Sequence, residues 1–257
     1  MISNTKVVIL AGGRGLRISE ESDLIPKPLI KIGSDPILVH LMRYFSKYDF
    51  NNFVVALGYK GNLIKEYFSN YALYSSNLYL DFKTGEKIMS ENRKESWKLE
   101  LIDTGENTMT GGRIKRLSSL LDKTFLVTYG DGLSNVNLHD LLKFHKSHKK
   151  LATVTSVSPP GRYGVLDIDE KNVVKGFVEK PMNTNQYING GFMIFEKEVF
   201  ELVKSDSDTL EESVLSKLAQ ENELMAFKHS GFWQSMDTLR DKRVLEELIA
   251  AGNAPWL

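Results

Sequence analysis

VVILAGGRGLRISEESDLIPKPLIKIG, residues 7–33, contains the change in character that decides the fold. An apolar run, Lys6–Leu10, ends at Gly12, Gly13 and Gly15. A buried strand that stops at glycines is typical of an open α/β sheet, whose ligands lie beyond the carboxyl ends of the strands. Glycines there allow backbone N–H groups to approach a phosphate chain closely. A tight turn without a ligand is the alternative interpretation.

The second half of this stretch carries fixed positive charge. The spacing of Gly12, Gly13 and Gly15 matches neither the dinucleotide-binding fingerprint nor the Walker phosphate loop, because no Lys-Ser or Lys-Thr pair follows these glycines. Lys27 lies between Pro26 and Pro28, which stiffen the backbone on both sides. An isolated Pro-Lys-Pro would be a surface turn, but beside a glycine loop and Arg17 it indicates a phosphate site of another kind.

The composition excludes several classes of function. The chain has 257 residues, with 33 Lys and Arg, 33 Asp and Glu, and no cysteine. Zero net charge gives no support to nucleic acid or a membrane surface as a partner. Absence of cysteine removes disulfides, thiolate nucleophiles and cysteine-ligated metals. We find no secretory leader pattern and no apolar run of membrane-spanning length, so we expect a soluble cytoplasmic protein.

The pattern along the chain predicts a single α/β domain. Apolar strands alternate with amphipathic helices up to about residue 148, which predicts a Rossmann-like, mostly parallel mixed sheet flanked by helices. The predicted strands are Lys6–Leu10, Phe53–Leu57, Leu99–Asp103 and Phe125–Tyr129, and the helices are Pro36–Lys47, Asn62–Tyr71 and Gly112–Leu121. Beyond them we predict a small antiparallel extension from Ala152–Val157, Tyr163–Asp167, Val173–Val178 and Ile188–Phe195, and helices at Thr209–Gln220 and Thr238–Ala251. The polar stretch Leu73–Lys98 is left unassigned; an oligomerisation element, a lid and a solvated surface all remain open.

Two aspartates are candidate metal ligands. Asp131 follows a predicted strand between two glycines, in Tyr-Gly-Asp-Gly, and Asp237 precedes the helix sequence TLRDK. Each has a structural alternative: Asp-Gly is a strong turn signal, and an Asp before a helix is a natural cap. Magnesium needs only one or two carboxylates together with substrate phosphates and water, so this pair would suffice.

GGRGLR followed by PKP resembles the signature of the sugar-phosphate nucleotidyltransferases, which join a nucleoside triphosphate to a sugar 1-phosphate. The resemblance implies the nucleotide-diphospho-sugar transferase fold and a Mg²⁺ cofactor held by Asp131 and Asp237. It implies catalytic roles for Arg17 and Lys27 on the nucleotide phosphates, beside those two aspartates. The implied nucleotide-binding loop consists of Leu10, Ala11, Gly12, Gly13, Gly15, Leu16 and Arg17, with Lys27 and Gly130 beside it. Leu16 stands where many members have Thr.

The same resemblance extends to a sugar-phosphate pocket. GFVEKP resembles the segment in which Glu179 meets sugar hydroxyls and Lys180 meets the sugar phosphate. Gly164, in Tyr-Gly-Val, and Asn189-Gly190, in Asn-Gly-Gly, resemble the other walls. A strand end that is merely exposed, or strand bends at the glycines, would be the structural alternatives. The family implies one domain over residues 1–257, with a nucleotide part at about 1–135, a sugar-phosphate part at about 136–240 and a C-terminal helix at about 238–251.

Longer segments narrow the substrates. DTGENTMTGGRIKR, TYGDG, PPGRYGVLDI, INGGF, ELMAFKHSGFWQSMDTLRDK and the closing APW resemble the branch of the family that uses CTP and glucose 1-phosphate. On that resemblance, Thr108 and Arg113 join the CTP site; helix capping and a surface cation are their alternatives. The branch also implies a homo-oligomer, and a product that supplies dideoxysugars of surface polysaccharide such as O-antigen.

Alternatives remain at the level of both substrate and class. The same reaction with another sugar 1-phosphate, or with UTP or dTTP, is the nearest. A non-catalytic, nucleotide-binding regulatory subunit on the same fold is the alternative from another class of protein. Such a subunit is expected to lack the lysine or the metal-binding aspartates, whereas Lys27, Asp131 and Asp237 are all present. His145 and His148 have a spacing that could suit a metal, but we predict a solvated helix face.

Overall fold

The computed structural model describes residues 5–15, 18, 24–91, 95–121, 123–158, 165–178 and 186–257. A seven-stranded sheet forms its centre. The strands of this sheet are β1 (Lys6–Ala11), β4 (Asn52–Leu57), β7 (Lys98–Asp103), β8 (Thr124–Tyr129), β10 (Ala152–Val157), β13 (Ile188–Glu196) and β14 (Leu224–His229). Their spatial order is β14-β10-β13-β8-β1-β4-β7. The pairs β8–β1, β1–β4, β4–β7 and β10–β14 are parallel, whereas β13 is antiparallel to β8 and β10. The predicted mostly parallel mixed sheet is confirmed.

The described residues also form four two-stranded ribbons outside the central sheet. They pair β2 (Lys31–Ile32) with β3 (Asp35–Pro36), β5 (Ser76–Asp81) with β6 (Glu86–Glu91), β9 (Gly132–Ser134) with β15 (Trp233–Ser235), and β11 (Val165–Ile168) with β12 (Val174–Val178). Within the predicted antiparallel extension, only β11 and β12 form a separate ribbon. The other two predicted strands, β10 and β13, lie in the central sheet, because β13 pairs with β8 on its other side.

Helices cover both faces of the sheet. The α-helices are α1 (Ile37–Ser46), α2 (Gly61–Ser69), α3 (Tyr71–Ser75), α4 (Thr110–Arg116), α5 (Leu138–His148), α6 (Ser216–Gln220) and α7 (Leu239–Ala250). Short 3₁₀ turns form at Lys27–Leu29, Ser118–Leu120 and Lys197–Leu202, and a π-helical turn at Leu210–Leu215 leads into α6. In the described parts of the chain, no helix combines the length and the apolar character that crossing a membrane requires.

The residues of β1 after Lys6 are all apolar because both faces of the strand are buried. Val7 and Ile9 pack into one core cluster with α1, whereas Val8 and Leu10 pack into a second cluster on the opposite face with α4. Because successive side chains of a strand point to opposite faces, a strand covered on both faces reads as a continuous hydrophobic run. The carboxyl end of β1, with its glycines, is thereby fixed at one edge of the sheet.

The stretch Leu73–Lys98, unassigned from the sequence, begins in α3 and forms the β5–β6 hairpin. The ribbon pairs Ser76 with Glu91 through to Asp81 with Glu86, and in the described part of the chain it forms a sheet separate from the central one. Its side chains are polar or exposed, so the sequence pattern lacks the buried face that identifies a strand.

Candidate functional site

A cleft of about 600 Å³ lies at the carboxyl edge of the parallel strands. All of the predicted nucleotide and metal residues that the structure describes line it: Leu10, Ala11, Gly12, Gly13, Gly15, Lys27, Thr108, Arg113, Gly130, Asp131 and Asp237. The structure therefore brings together residues that are up to 227 positions apart in the sequence, from 10 to 237. Leu16, Arg17, Gly164, Glu179 and Lys180, which belong to the predicted site, lie outside the described residues.

Lys27 reaches across the cleft floor to both candidate metal ligands. Its Nζ donates to Asp131 Oδ2 at 2.6 Å and to Asp237 Oδ1 at 2.9 Å. The residue opens a 3₁₀ turn directly after Pro26, whose φ of −65° is the value that a proline ring imposes, and it is 8% exposed. Burial acts to lower the pKa of Lys27, but the carboxylate of Asp131, and then that of Asp237, outweigh it and raise that pKa. The ammonium is therefore charged at neutral pH.

Asp131 is placed by the turn between β8 and β9. Gly130 N–H donates to Leu10 O at 3.0 Å, which holds the turn against the end of β1. A Cβ at Gly130 would lie 3.2 Å from that carbonyl oxygen and 3.3 Å from Pro28 Cγ, so a side chain there would crowd the approach. Glycine at this position therefore lets the aspartate come close to Lys27.

Asp237 reaches the same point through a different ribbon. The β15–β9 pairing sets Ser235 opposite Gly132, which brings the residues after β15 beside the turn that carries Asp131. Ser235 Oγ donates to Asp237 Oδ2 at 3.1 Å and orients the carboxylate. The N-cap of α7 is Thr238, which forms a capping box with Asp241. The alternative that Asp237 serves as that cap is wrong.

The carboxylate pair suits a magnesium ion. Two oxygens, from Asp131 and Asp237, already converge on one cationic atom. Two carboxylates with room for phosphate oxygens and water are a donor set that Mg²⁺ accepts. Among the described residues, no group of three or more His, Cys, Asp and Glu side chains gathers to form another metal site.

Arg113 lies beneath the glycine loop. Its guanidinium donates to the carbonyl oxygens of Leu57, Gly105 and Gly12 at 2.9, 2.8 and 3.1 Å. It also contacts Thr104 Oγ1 and Glu106 O, so one side chain ties together the ends of β1, β4 and β7. A Cβ at Gly12 would overlap the Arg113 guanidinium, so a side chain there would displace Arg113 from these carbonyl oxygens.

Arg113 is 4% exposed, so its alternative as a surface cation is wrong. Burial lowers the pKa of this guanidinium despite the opposing effect of Asp103. Thr108 is also buried, and the residue before α4 is Met109 without a side-chain cap, so Thr108 is not a helix cap. Contact of either residue with a nucleotide remains a prediction.

Tyr129 and Glu211 form a wall that the sequence analysis missed. The Tyr129 hydroxyl donates to Glu211 Oε1, and Thr110 Oγ1 donates to Glu211 Oε2 at 2.9 Å. Both Tyr129 and Thr110 line the cleft. Gly191, at φ +83°, would place a Cβ 2.7 Å from the Tyr129 ring. The only available signal was that Tyr129 directly precedes Gly130 in the quoted TYGDG; the partner Glu211 is 82 residues away.

The predicted sugar side meets this wall. Asn189 and Gly190 are the second and third residues of β13; Asn189 Oδ1 accepts from Gly191 N at 2.9 Å, and Gly190 O accepts from Trp233 Nε1 at 2.7 Å. Neither residue lines the cleft itself. The next residue, Gly191, lies directly against the Tyr129 ring, so the pair lies beside one wall of the cleft.

His145 is not on a solvated face. It is 2% exposed; its Nδ1 lies 2.8 Å from Thr153 Oγ1 and its Nε2 lies 3.1 Å from Glu196 Oε1. Burial lowers the pKa of His145, and that of His148, below the ordinary value. The prediction of a solvated helix face is wrong for His145, which instead joins α5 to β10 and β13.

The sequence and the fold of this chain are similar to those of known proteins. The chain is 47% identical to glucose-1-phosphate cytidylyltransferase of Salmonella typhi over 253 residues, covering 98% of each chain. It is 40% identical, at the same coverage, to the probable glucose-1-phosphate cytidylyltransferase of Bacillus subtilis strain 168. HddC from Yersinia pseudotuberculosis, crystallised with GMP-PN, superimposes with a TM-score of 0.69 at 26% identity, over 95% of this chain and 99% of that one. Residues 6–241, which include both candidate metal ligands and the whole cleft, match the nucleotidyl transferase family, and the chain belongs to that family.

Proposed function

We propose that this protein transfers the cytidylyl group of CTP to α-D-glucose 1-phosphate, giving CDP-glucose and pyrophosphate. The observation that carries the proposal is the meeting of Lys27, Asp131 and Asp237 beside the glycine loop, in one cleft. An acidic pair and a fixed cation at a backbone loop suit phosphoryl chemistry between anions. The names of the relatives at 47% and 40% identity support CTP and glucose 1-phosphate as the substrates.

The reaction is an in-line displacement. A phosphate oxygen of glucose 1-phosphate forms a bond to the α-phosphorus of CTP, the bond from that phosphorus to the bridging oxygen breaks, and pyrophosphate leaves with the electron pair. The attacking phosphate is already anionic at neutral pH, so no general base is required. Catalysis then consists mainly of positioning and charge neutralisation.

The chain's own groups divide this work. Backbone N–H groups of the loop at Gly12–Gly15 bind the triphosphate, and Lys27 offsets charge on the α-phosphate and the leaving pyrophosphate. Arg113 holds the loop carbonyls in place from below. A magnesium ion bound by Asp131 and Asp237 would supply further neutralisation of phosphate charge.

The remaining assignments come from the resemblance. Arg17 assists on the nucleotide phosphates, Glu179 binds sugar hydroxyls, and Lys180 anchors the incoming phosphate. Gly164 and the Asn189-Gly190 pair complete the sugar-phosphate pocket. The nucleotide part spans about residues 1–135, and the sugar-phosphate part about 136–240.

A pyrophosphate-release assay tests the proposal directly. We expect glucose 1-phosphate to react fastest with CTP, with UTP as a poor second because it keeps the pyrimidine shape and the ribose. A site that pairs with the cytosine amine leaves acceptors facing a carbonyl when UTP enters, a mismatch of a few kcal/mol, or about tenfold to a thousandfold in kcat/KM. Equal kcat/KM for UTP or dTTP would leave only the general nucleotidyltransferase activity, and absence of turnover with every pair would favour the regulatory subunit.

We also propose a cytoplasmic homo-oligomer. The β5–β6 hairpin exposes apolar side chains on both of its faces, including Tyr79 and Leu80, and Phe82 at its tip is 93% exposed. An isolated two-stranded hairpin is marginally stable in water, so cover from another copy would stabilise it. Sedimentation of the wild type and of Phe82→Glu tests this: a monomeric wild type contradicts the proposal, and a smaller assembly in the variant supports it.

A further inference from the structure

The carboxylate pair already has a cation of the chain between its two members. Lys27 Nζ lies within hydrogen-bond distance of both Asp131 Oδ2 and Asp237 Oδ1, at 2.6 and 2.9 Å. The side chains of the two aspartates are 28% and 19% exposed, so the solvent screens these contacts less than on an open surface. The ammonium therefore neutralises part of the charge that would attract a divalent ion.

The backbone of Lys27 cannot move easily to release this contact. Leu29 N donates to Pro26 O at 2.8 Å and Ile30 N donates to Lys27 O at 3.1 Å, which closes the turn around the residue. The prolines on both sides restrict φ further. A change of partner must therefore come from rotation of the side chain alone, over a few ångströms.

The charges decide which ligand the site accepts first. The ammonium of Lys27 offsets one of the two negative charges that Asp131 and Asp237 bring to the site. A magnesium ion binds carboxylate oxygens at about 2.0–2.1 Å, which would place it a few ångströms from Nζ, where like charges repel strongly. A triphosphate brings several negative charges and removes this conflict.

We propose that Lys27 is the resident cation of the Asp131–Asp237 pair in the nucleotide-free protein, and that it keeps divalent-ion affinity low until a phosphate chain draws the ammonium away. An ammonium has three donors, and its contacts to described residues use two of them. The third N–H can donate to a phosphate oxygen before either carboxylate contact breaks. The ion then enters with the nucleotide rather than ahead of it. This inference rests on the metal pair assigned in the proposed function.

The test is Mn²⁺ binding to the nucleotide-free protein, followed by electron paramagnetic resonance. Lys27→Gln removes the charge but keeps a side-chain N–H donor, and we expect it to bind Mn²⁺ at least about tenfold more tightly than the wild type. Lys27→Arg keeps the charge and should retain the weak binding of the wild type. Lys31→Gln, an exposed lysine four residues away, is the matched control and should not change the affinity. Equal Mn²⁺ affinity in the wild type and Lys27→Gln, or tight binding in Lys27→Arg, would overturn the proposal.

Thermal unfolding gives a second measurement that does not depend on activity. Without its ammonium, the carboxylate pair repels itself, so metal-free Lys27→Gln should melt at a lower temperature than the wild type. Mn²⁺ alone should restore the melting temperature of the variant and leave that of the wild type nearly unchanged. If Lys27→Gln folds only with Mn²⁺, the proposal is supported; failure of Mn²⁺ to recover the native melt overturns it.

Asp131→Asn separates failure of this inference from failure of the proposed metal site. In the Lys27→Gln background, Asp131→Asn should abolish the tight Mn²⁺ site. If Mn²⁺ binding survives, the ion lies elsewhere and the metal role of Asp131 fails. If Asp131→Asn abolishes Mn²⁺ binding in the presence of CTP but Lys27→Gln does not tighten it in the absence of CTP, only the inference about Lys27 fails.

Discussion

Lys27 and Arg113 are both buried cations of one cleft, but their partners differ in kind. Lys27 contacts two carboxylates, whereas the contacts of Arg113 go to carbonyl oxygens and a hydroxyl. A cation held by carboxylates can exchange them for an incoming phosphate, and a metal ion can then bind the carboxylates. A cation held by the backbone of three strand ends has no such exchange, because releasing it would break its hydrogen bonds to carbonyl oxygens at all three ends. We therefore expect substitutions around Lys27 to lower the reaction rate, and substitutions at Arg113 to lower the stability of the fold.

The largest expected effect is on the chemistry side. Asp131→Asn and Asp237→Asn should each lower kcat by about a thousandfold or more, because an amide supplies no negative charge to hold and orient the ion. The fold should remain, since both aspartates lie in turns at the surface of the cleft rather than in the core clusters. Steady-state rates and far-UV circular dichroism check the two halves of this prediction. Activity near the wild-type level in either variant would remove that residue from the metal site.

Arg113→Met should show the opposite pattern, in which the main effect is a loss of stability. The variant removes the charged donor from the carbonyls of Gly12, Leu57 and Gly105. Among the described residues, Gly12 O and Leu57 O keep only the N–H donors of Tyr59 and Thr104 and the Thr104 hydroxyl, so we expect a loss of about 3–5 kcal/mol in the free energy of unfolding. Urea denaturation measures it. Arg116→Met, on the same helix, removes an exposed cation that pairs with Asp206; it is the control and should change the midpoint little, because surface ion pairs contribute little to stability. An unchanged midpoint in Arg113→Met would mean that the backbone contacts do not stabilise the loop.

This comparison also shows what the sequence could predict. The buried parallel strands were predictable, because the continuous apolar run before Gly12 requires a strand covered on both faces. Membership of the family was predictable from short local motifs, and the family match confirms it. The role of Arg113 was not predictable, because its acceptors are backbone oxygens, which leave no signature in residue types.

Long-range pairings account for the other misses. Glu211 meets Tyr129 only after the π-helical turn packs beside α4, and nothing in its local sequence, Leu-Glu-Glu-Ser, distinguishes it from an exposed glutamate. His145 lies on a Lys-rich helix, but α5 turns that side chain towards β10 and β13. In both cases the tertiary neighbour, rather than local propensity, decides the environment.

Tyr129→Phe tests the contact between Tyr129 and Glu211 in the cleft wall, which involves neither the aspartate pair nor the contacts of Arg113. It removes the hydroxyl that binds Glu211 but keeps the ring that packs beside Gly191. We expect the KM for CTP to rise a few-fold with kcat changed less. The variant loses about 1 kcal/mol from the hydrogen bond to Glu211, while the reacting groups stay in place. Glu211→Gln should behave alike, and Glu212→Gln, its exposed neighbour, should not. A fall in kcat at constant KM would show instead that Tyr129 acts on the reaction.

The smallest expected effect concerns His145, a buried titratable group that lies outside the cleft. Burial lowers its pKa from an ordinary 6.5, so between that value and the folded pKa the unfolded chain binds more protons than the native one. Stability should therefore fall as the pH drops below 6.5. The groups facing it act on the proton in both directions: Glu196 favours protonation, while Lys146 and the neighbouring His148 oppose it or compete for it. His145→Gln keeps a polar side chain near Thr153 but cannot titrate, so the decline in urea midpoint between pH 7.5 and 5.5 should be shallower than in the wild type. A His148→Gln control reports the share of the second, less buried histidine. An equal decline in the wild type and His145→Gln would place the acid sensitivity elsewhere in the molecule.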